Sequence, residues 1–262
     1  DTTLTFTASD TTSLEFQINN ELKQLNQWLV ANKLTLNVSK TELMLITTRQ
    51  KRRFIDDTLN VNICGQPVNQ VKSVKMLGVQ VEQSLSWTKH IEHIYKKVAP
   101  ALGLLKRVRD FVGQDTLISI YNALILPHLE YACVVWDGLD KGLAIKLQRL
   151  QNRAARIITR SSWDERSCDI LLKLGWLPLD KRRYNHKKKL MSKIMNGRAP
   201  KYLVDLFRPR ESNSQIGLRD SLNKLAVPLP KTDCYKQSIS YSGSVLWNNL
   251  ATSERIAKNV LE

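Results

Sequence analysis

Five bases recur along one stretch of the chain at the spacing of a helix face. They are Lys146, Arg149, Arg153, Arg156 and Arg160, and no Asp or Glu occurs between residues 141 and 160. On a helix these side chains form one stripe, in which neighbouring like charges repel by roughly 0.2–0.5 kcal/mol per pair. A row of phosphates would offset this repulsion. The stripe therefore predicts contact with a nucleic-acid backbone, and a solvated basic face is the alternative.

Two further residues, Asp1 and Lys40, are of types that take part in phosphoryl chemistry. Metal-dependent nucleotidyl transfer uses two or more carboxylates around a metal pair. A cation beside a phosphate can protonate a leaving group or neutralise its charge. Asp1 supplies only one carboxylate, and Lys40 stands alone after a short Asn- and Ser-containing connection. By residue type alone, a surface aspartate and a solvated lysine are the simpler interpretation.

The charge of the chain is strongly positive and unevenly distributed. Its 262 residues carry 40 Lys+Arg and 24 Asp+Glu, a net charge of +16. The first 50 residues hold four bases and five acids, whereas the rest hold 36 bases and 19 acids. A basic excess confined to one part of a chain favours a polyanionic partner, usually nucleic acid. A second group of bases, between residues 181 and 193, spreads around its predicted helix, so nuclear localisation, RNA contact and solvation all fit it.

Several classes of site are disfavoured by composition. The four cysteines lie far apart without a C-x-x-C pair, which indicates neither a disulfide framework nor a zinc ribbon and is typical of a reducing compartment. His90 and His93 have no accompanying ligand pair, so we expect them to be packing or surface residues. The apolar run 131–136 is too short to span a bilayer, and no signal peptide opens the sequence. We therefore expect no membrane association and an intracellular location, in the nucleus and cytoplasm.

The first third of the chain predicts mixed secondary structure. Residues 2–7 alternate as in a strand. A capped helix follows to about Asn32, and its apolar spacing, which includes Ile18, Leu22 and Trp28, predicts one buried stripe. Residues 42–48 predict a strand, and Gly65 with Pro67 predicts a turn between two β-like runs. Residues 71–81 alternate again, with Gly78 inside the run.

From Trp87 onward the apolar period becomes helical. We predict a long helix with a kink at Pro100, a second helix ending near Pro127, a third over 141–160 and a basic helix over about 180–196. Residues 128–136 fit either a buried helix or a short strand. Residues 208–230 predict loops, and a last helix begins near Ser240.

In this order, the motifs resemble the reverse transcriptases of non-LTR (LINE-type) retrotransposons. The run DTTLTF is similar to the end of their metal-binding box, with Asp1 as its second Asp. The segment from Trp28 through Lys40-Thr41-Glu42 is similar to the next palm motif, in which the lysine is thought to be a general acid. VKMLGVQV resembles the hairpin that grips the primer end, and IYNALILPHLEYACVVWDG and KLQRLQNRAARIIT are typical of the region that follows.

The resemblance implies an α+β fold. Residues 1–86 would be a palm remnant (strand, helix, strand, hairpin) with a primer-grip-like hairpin, 87–164 a helical thumb, and 165–262 a basic, mainly helical C-terminal region. It implies that Asp1 and Lys40 are catalytic, that Asp1 binds Mg²⁺ in the complete parent enzyme, and that the partners are an RNA template, a DNA primer and dNTPs. The residues implied to bind nucleic acid are Leu77, Gly78, Lys106, Arg107 and the five bases of the stripe.

Such a chain lacks the fingers and most of the catalytic palm, so we expect it to be inactive by itself. The parent would be an RNA-directed DNA polymerase, a nucleotidyltransferase. The alternative function is a non-catalytic nucleic-acid-binding remnant of such an element. A helical interaction domain with incidental charge is a third possibility, which the acid-free stripe disfavours.

Overall fold

The computed structural model describes residues 2–55, 58–210 and 224–256. The chain divides into two compact units, Asp1–His90 and Ile91–Glu262. The first unit combines one long helix with short strands, and the second is helical.

The regular elements of the first unit are short apart from its first helix. They are α1 (Thr11–Ala31), a 3₁₀ turn (Val38–Lys40), β1 (Glu42–Leu43), α2 (Arg49–Arg52), β2 (Asn62–Ile63), β3 (Gln66–Pro67), β4 (Asn69–Gln70), β5 (Ser73–Met76) and β6 (Val79–Glu82). Strand β1 pairs with β4 in parallel, whereas β2–β3 and β5–β6 are antiparallel hairpins. Helix α3 (Thr88–Val108) begins at the end of this unit and continues into the second.

Helix α1 forms as its capping and apolar pattern predict. The Asp10 carboxylate accepts a hydrogen bond from the Ser13 amide at 2.7 Å, which caps the helix. Ile18 and Leu22 are buried in a cluster with Leu45 and three residues of the 59–63 segment. The prediction for Trp28 was wrong, because its side chain is 57% exposed.

The Asn19 side chain joins α1 to the segment that follows Leu59. Its Nδ2 donates to the carbonyl of Asn60 at 2.9 Å, and its Oδ1 accepts from the amide of Asn62 at 2.9 Å. Glu15 accepts from the amide of Asn60 at 2.8 Å. Polar side chains on α1 thus satisfy backbone groups of the 60–62 segment.

Two strand predictions in the first unit need correction. Residues 2–7 form no strand, because none of the described residues supplies the partner that a strand's backbone hydrogen bonds require. The predicted strand 42–48 is only the two residues of β1, and helix α2 follows it at Arg49. Leu45 is nevertheless buried, so the apolar run identified the core without forming a strand.

Both hairpins turn on a residue pair in the left-handed conformation. Cys64 and Gly65 have φ of 52° and 75°, and Leu77 and Gly78 have φ of 45° and 85°. Positive φ at both central residues is the signature of a two-residue type I′ turn, which matches the twist of the flanking strands. Gly78 therefore lies at the tip of the β5–β6 hairpin. The alternating residues around it had predicted a position inside a strand.

The second unit consists of helices joined by short connections. After α3 they are α4 (Gln114–Leu124), α5 (Leu126–Glu130), α6 (Lys141–Thr159), α7 (Ser167–Lys173), α8 (Leu179–Met195), α9 (Lys201–Val204), α10 (Asp233–Gln237), α11 (Ile239–Asn248) and α12 (Thr252–Ile256). Helix α6 packs against α4, α7 and α8, and α8 packs against α11. No described helix is long and apolar enough to cross a bilayer.

The apolar period of the second unit predicts its core well. In α3 the side chains of Val98, Leu102 and Leu105 are almost completely buried, and the helix continues through Pro100. Residues 131–136 form neither a helix nor a strand but consecutive turns, in which the Trp136 indole is fully buried and donates to the Tyr131 carbonyl at 2.9 Å. Turn hydrogen bonds stabilise this irregular backbone, because the Cys133 amide donates to the Glu130 carbonyl at 3.0 Å and the Val135 amide donates to the Ala132 carbonyl at 2.9 Å.

Candidate nucleic-acid interface

Helix α6 holds the basic stripe rigidly because its opposite face is core. The Asp140 carboxylate accepts from the Leu143 amide at 2.8 Å and caps the first turn. Leu147, Leu150 and Ala154 are among the residues buried beneath the helix. The helix ends at Arg160, which has φ of 55° and forms the left-handed C-cap.

Three bases of the stripe face solvent. Lys146, Arg149 and Arg153 are exposed, and none of them forms an ion pair with another residue in the described ranges. Their Cα atoms span about 10 Å of the helix at ~1.5 Å per residue. This length is comparable with two to three successive phosphates of one strand at ~3.4 Å of rise. The three side chains can therefore contact a phosphate backbone without losing an existing partner.

The other two bases of the stripe hold neighbouring loops. Arg156 is half-buried, and its Nη2 donates to the Glu165 carbonyl at 2.9 Å and to Ser167 Oγ at 3.0 Å. The Nη2 of Arg160 donates to the Arg109 carbonyl at 2.7 Å and to the Val112 carbonyl at 3.4 Å. These hydrogen bonds fix the loop after α6 and the turn after α3. The stripe therefore consists of three exposed bases and two bases that stabilise neighbouring loops.

Lys106 and Arg107 lie exposed in the last turn of α3. Bases at that position also interact favourably with the negative end of the helix dipole. Arg107 Nε lies 3.5 Å from the Gly103 carbonyl, one turn back along the same helix. Their placement therefore fits both helix stabilisation and nucleic-acid contact.

The bases of α8 divide into two sets. Arg182 pairs with Glu130, Arg183 with Asp137 at 3.2 Å, Lys187 also with Asp137, and Lys188 with Glu254 at 2.7 Å. Burial, together with the nearby carboxylates of Glu130 and Asp137, raises the pKa of the Cys133 thiol to about 11. Four of the seven bases of α8 thus neutralise acids within the fold. Three other bases remain exposed on α8: Lys181, Lys189 and Lys193.

In the first unit, the predicted primer-grip residues occupy the tip of the β5–β6 hairpin. The Leu77 side chain is 73% exposed, and Gly78 completes the type I′ turn. Strand register is fixed by the pairs Met76 with Val79 and Val74 with Val81. The hairpin therefore presents an apolar residue at a rigid tip.

Lys40 ends the 3₁₀ turn directly before β1, and Asn37 organises this turn. The Asn37 Oδ1 accepts from the Lys40 amide at 3.2 Å and from Ser39 Oγ at 2.7 Å. Its carbonyl accepts from Thr41 Oγ1 at 3.0 Å. The Lys40 side chain is exposed and has no ion-pair partner in the described parts of the chain. Its backbone is thus positioned while its ammonium group is available.

Asp1, predicted to be catalytic and to bind metal, lies outside the described residues. Within the described ranges, no group of three or more His, Cys, Asp and Glu side chains is arranged to hold a metal ion. His90 is buried, and its Nδ1 accepts from the Gln80 amide at 3.2 Å, which confirms its predicted packing role.

Sequence reasoning missed two exposed aromatic residues near the end of the stripe. Phe111 is 86% exposed in the turn that Arg160 holds, and Trp163 is 87% exposed in the loop that Arg156 holds. Neither belongs to a helix with a periodic pattern. An isolated aromatic residue in a loop carries no burial signal in the sequence, and only the structure shows how exposed these two are.

Comparison with known proteins agrees with the motif resemblance. No protein-family profile matches the chain, and no solved structure matches it. The chain is 27% identical over 198 residues to the probable RNA-directed DNA polymerase from transposon X-element of Drosophila melanogaster, covering 69% of this chain and 21% of that protein. It is 26% identical over 152 residues to the RNA-directed DNA polymerase from mobile element jockey of Drosophila funebris, covering 57% and 16%.

A further match is the jockey polymerase of Drosophila melanogaster, 23% identical over 137 residues and covering 51% of this chain and 15% of that protein. The chain thus spans about a fifth or less of the length of the curated relatives it matches. These relatives confirm the resemblance of the motifs to retrotransposon polymerases. The chain is homologous to part of the RNA-directed DNA polymerases of non-LTR retrotransposons.

Proposed function

We propose that this chain contributes nucleic-acid binding to an RNA-directed DNA polymerase of a non-LTR element, with the exposed bases of α6 contacting the phosphate backbone of a primer–template duplex. The observation that carries the proposal is the exposed set Lys146, Arg149 and Arg153 on a helix whose other face is buried. Residues 87–164 would then act as the thumb, and residues 1–86 as the end of the palm.

The geometry of α6 supports backbone contact rather than base recognition. Arg and Lys at helical spacing suit a row of phosphates, and phosphate contacts position a protein without reading sequence. Because Arg156 and Arg160 already donate to backbone carbonyls, they add positive potential and support rather than full contacts. The proposal therefore predicts binding that depends strongly on salt and weakly on sequence.

The decisive experiment replaces Lys146, Arg149 and Arg153 together by Gln in the 262-residue chain. Binding of an RNA–DNA duplex is measured by fluorescence anisotropy over a range of salt concentrations. Each lost phosphate contact removes ~0.9 from the slope of log K against log salt for B-form DNA, so we expect the slope to fall by roughly 2–3. An unchanged slope would refute the proposal and favour a helical interaction domain.

A matched control removes three exposed bases elsewhere. Lys23, Lys201 and Lys231 are exposed and form no ion pair with a described residue. Their replacement by Gln changes the net charge equally without touching α6. A similar loss of slope in both variants would mean that overall charge, and not the stripe, governs binding.

The first unit is proposed to lie at the primer end, as the palm motifs of the resembled family do. Two features of the described residues support this: the Leu77–Gly78 tip and the Lys40 ammonium group, whose backbone Asn37 fixes. In the whole polymerase, Lys40 would donate a proton to, or neutralise, the departing pyrophosphate. Asp1 would be one of several carboxylate ligands of the Mg²⁺ pair, and the protein would work in the nucleus and cytoplasm.

The second candidate function is a non-catalytic clamp on duplex nucleic acid. It uses the same α6 surface and requires nothing of Lys40. Substitution of Lys40 by Ala should leave duplex affinity unchanged under both functions. Within a polymerase containing the full palm, the same substitution should slow nucleotide incorporation, whereas a clamp predicts no such defect.

A further inference from the structure

Phe111 and Trp163 lie on two loops that the same end of α6 holds in place. Arg160 donates to the carbonyls of Arg109 and Val112 on either side of Phe111. Trp163 follows Arg160 by three residues. The backbone segments that carry the two exposed rings are therefore held at the C-terminal end of the helix that carries the basic stripe.

The loop carrying Trp163 is fixed on both sides of that residue. Before it, the hydroxyls of Thr159 and Ser161 are hydrogen-bonded at 2.8 Å. After it, Arg156 donates to the Glu165 carbonyl at 2.9 Å, and the Glu165 carboxylate pairs with Lys173. The backbone is thus held while the indole itself remains 87% exposed.

The turn carrying Phe111 is fixed in a similar way. Its amide donates to the Val108 carbonyl at 3.0 Å, and Arg109 pairs with Asp110 at 3.3 Å. Together with the bonds from Arg160, these contacts order the turn while leaving the phenyl ring 86% exposed. Rings held on ordered loops lose little entropy when a flat ligand stacks on them.

The charges around the rings favour a nucleic acid over other flat ligands. Glu165 and Asp110 are paired with Lys173 and Arg109, so their charges are offset. Asp164 is exposed and accepts from Ser162, and it opposes an anion locally. Arg160 and Arg166 flank Trp163 in the sequence, and both are exposed. The basic stripe lies on the helix that ends at Arg160.

We propose that Phe111 and Trp163 form a stacking site for unpaired nucleobases, at the end of the basic stripe formed by Lys146, Arg149 and Arg153. The duplex lies along α6, and the single strand that leaves it passes over the two rings. Aromatic side chains beside a basic track bind single strands in this manner, with little dependence on base identity. This site rests on the function proposed above, because the stripe directs the strand to it.

The test compares a blunt RNA–DNA duplex with the same duplex carrying a single-stranded extension at one or the other end. The wild-type chain should bind an extended duplex more tightly. Replacing Phe111 and Trp163 together by Ala should remove at least about tenfold of this preference and leave affinity for the blunt duplex unchanged. Because both rings are exposed, the variant should unfold at the wild-type denaturant midpoint.

A matched control replaces Phe16 and Phe54 by Ala. These aromatic residues are 75% and 87% exposed and belong to the first unit. The control variant should keep the wild-type preference for the extended duplex. A preference lost equally in both double variants would contradict a stacking site at the end of α6.

The remaining outcomes separate this inference from the proposed function. If the wild-type chain binds both duplexes equally, or the Phe111 and Trp163 variant keeps the preference, the stacking site is refuted while duplex binding stands. If neither duplex is bound, the proposed function fails and the stacking site fails with it. In another outcome, the Phe111 and Trp163 variant loses binding to phosphatidylserine vesicles that the wild-type chain binds, and keeps its preference for the extended duplex. That outcome would assign the rings to a membrane surface and overturn the inference.

Discussion

At the scale of single residues, Asp137 holds two buried cations. Arg183 and Lys187 are 6% and 8% exposed, and both pair with its carboxylate. Lys187 also lies 3.2 Å from Ser242 Oγ on α11. The Asp137 carboxylate therefore links the turns after α5 to α8. The bases of α8 form a basic run in the sequence, but several of them are engaged in ion pairs within the fold.

Substitution of Asp137 by Ala should destabilise the protein by about 3 kcal/mol, because it leaves two buried cations without their counter-ion. Urea unfolding followed by circular dichroism measures the change. The control is Asp233→Ala, which removes an exposed carboxylate paired with Lys236 three residues along α10. An exposed pair of this kind contributes little, so equal effects of the two substitutions would contradict the linking role of Asp137.

At the scale of elements, α6 determines how the candidate interface is presented. Its first turn is capped by Asp140, and its last turn is fixed by the left-handed Arg160. The exposed bases of the stripe begin at Lys146, one to two turns after the cap. The bases of the stripe therefore form a continuous surface only while the whole of α6 stays helical.

Substitution of Asp140 by Ala should cost ~1 kcal/mol of stability and increase amide hydrogen exchange in the first turn of α6, since the Leu143 amide loses its acceptor. Asp140→Asn retains an acceptor oxygen of comparable capping strength and is the matched variant. Faster exchange in both variants would show that the charge of Asp140, and not its hydrogen bond, stabilises the turn. Unchanged exchange in the Ala variant would exclude a capping role.

At the scale of the whole molecule, binding and chemistry should be separable. Nucleotidyl transfer uses two or more carboxylates around a metal pair, and the resemblance to the polymerase family assigns only Asp1 to that set. We therefore expect the isolated 262-residue chain to bind a primer–template duplex without extending the primer. Primer extension with Mg²⁺ and dNTPs, beside a complete reverse transcriptase in the same buffer, tests this expectation. Any extension above a heat-denatured control would refute it.

The sequence by itself determined the larger helices and the resemblance to retrotransposon polymerases. Apolar residues three or four apart predicted α1, α3, α6 and α8, because a long amphipathic period has few alternatives to a helix. The motifs indicated the retrotransposon polymerases, which the Drosophila relatives support. It also identified Lys146, Arg149 and Arg153, whose exposure agrees with a row of bases interrupted by no acid.

Only the tertiary structure decided which polar groups are already engaged. Arg156 and Arg160 have the same type and spacing as Arg149 and Arg153, yet they hold loops that no local pattern places beside them. Residues 2–7 alternate like a strand but have no partner among the described residues. Strand pairing and side-chain engagement depend on residues distant in sequence, whereas a helix satisfies its backbone within a few residues. For that physical reason, the helices and the two local hairpins could be predicted from the sequence, whereas the absence of a strand at residues 2–7 and the division of the basic stripe could not.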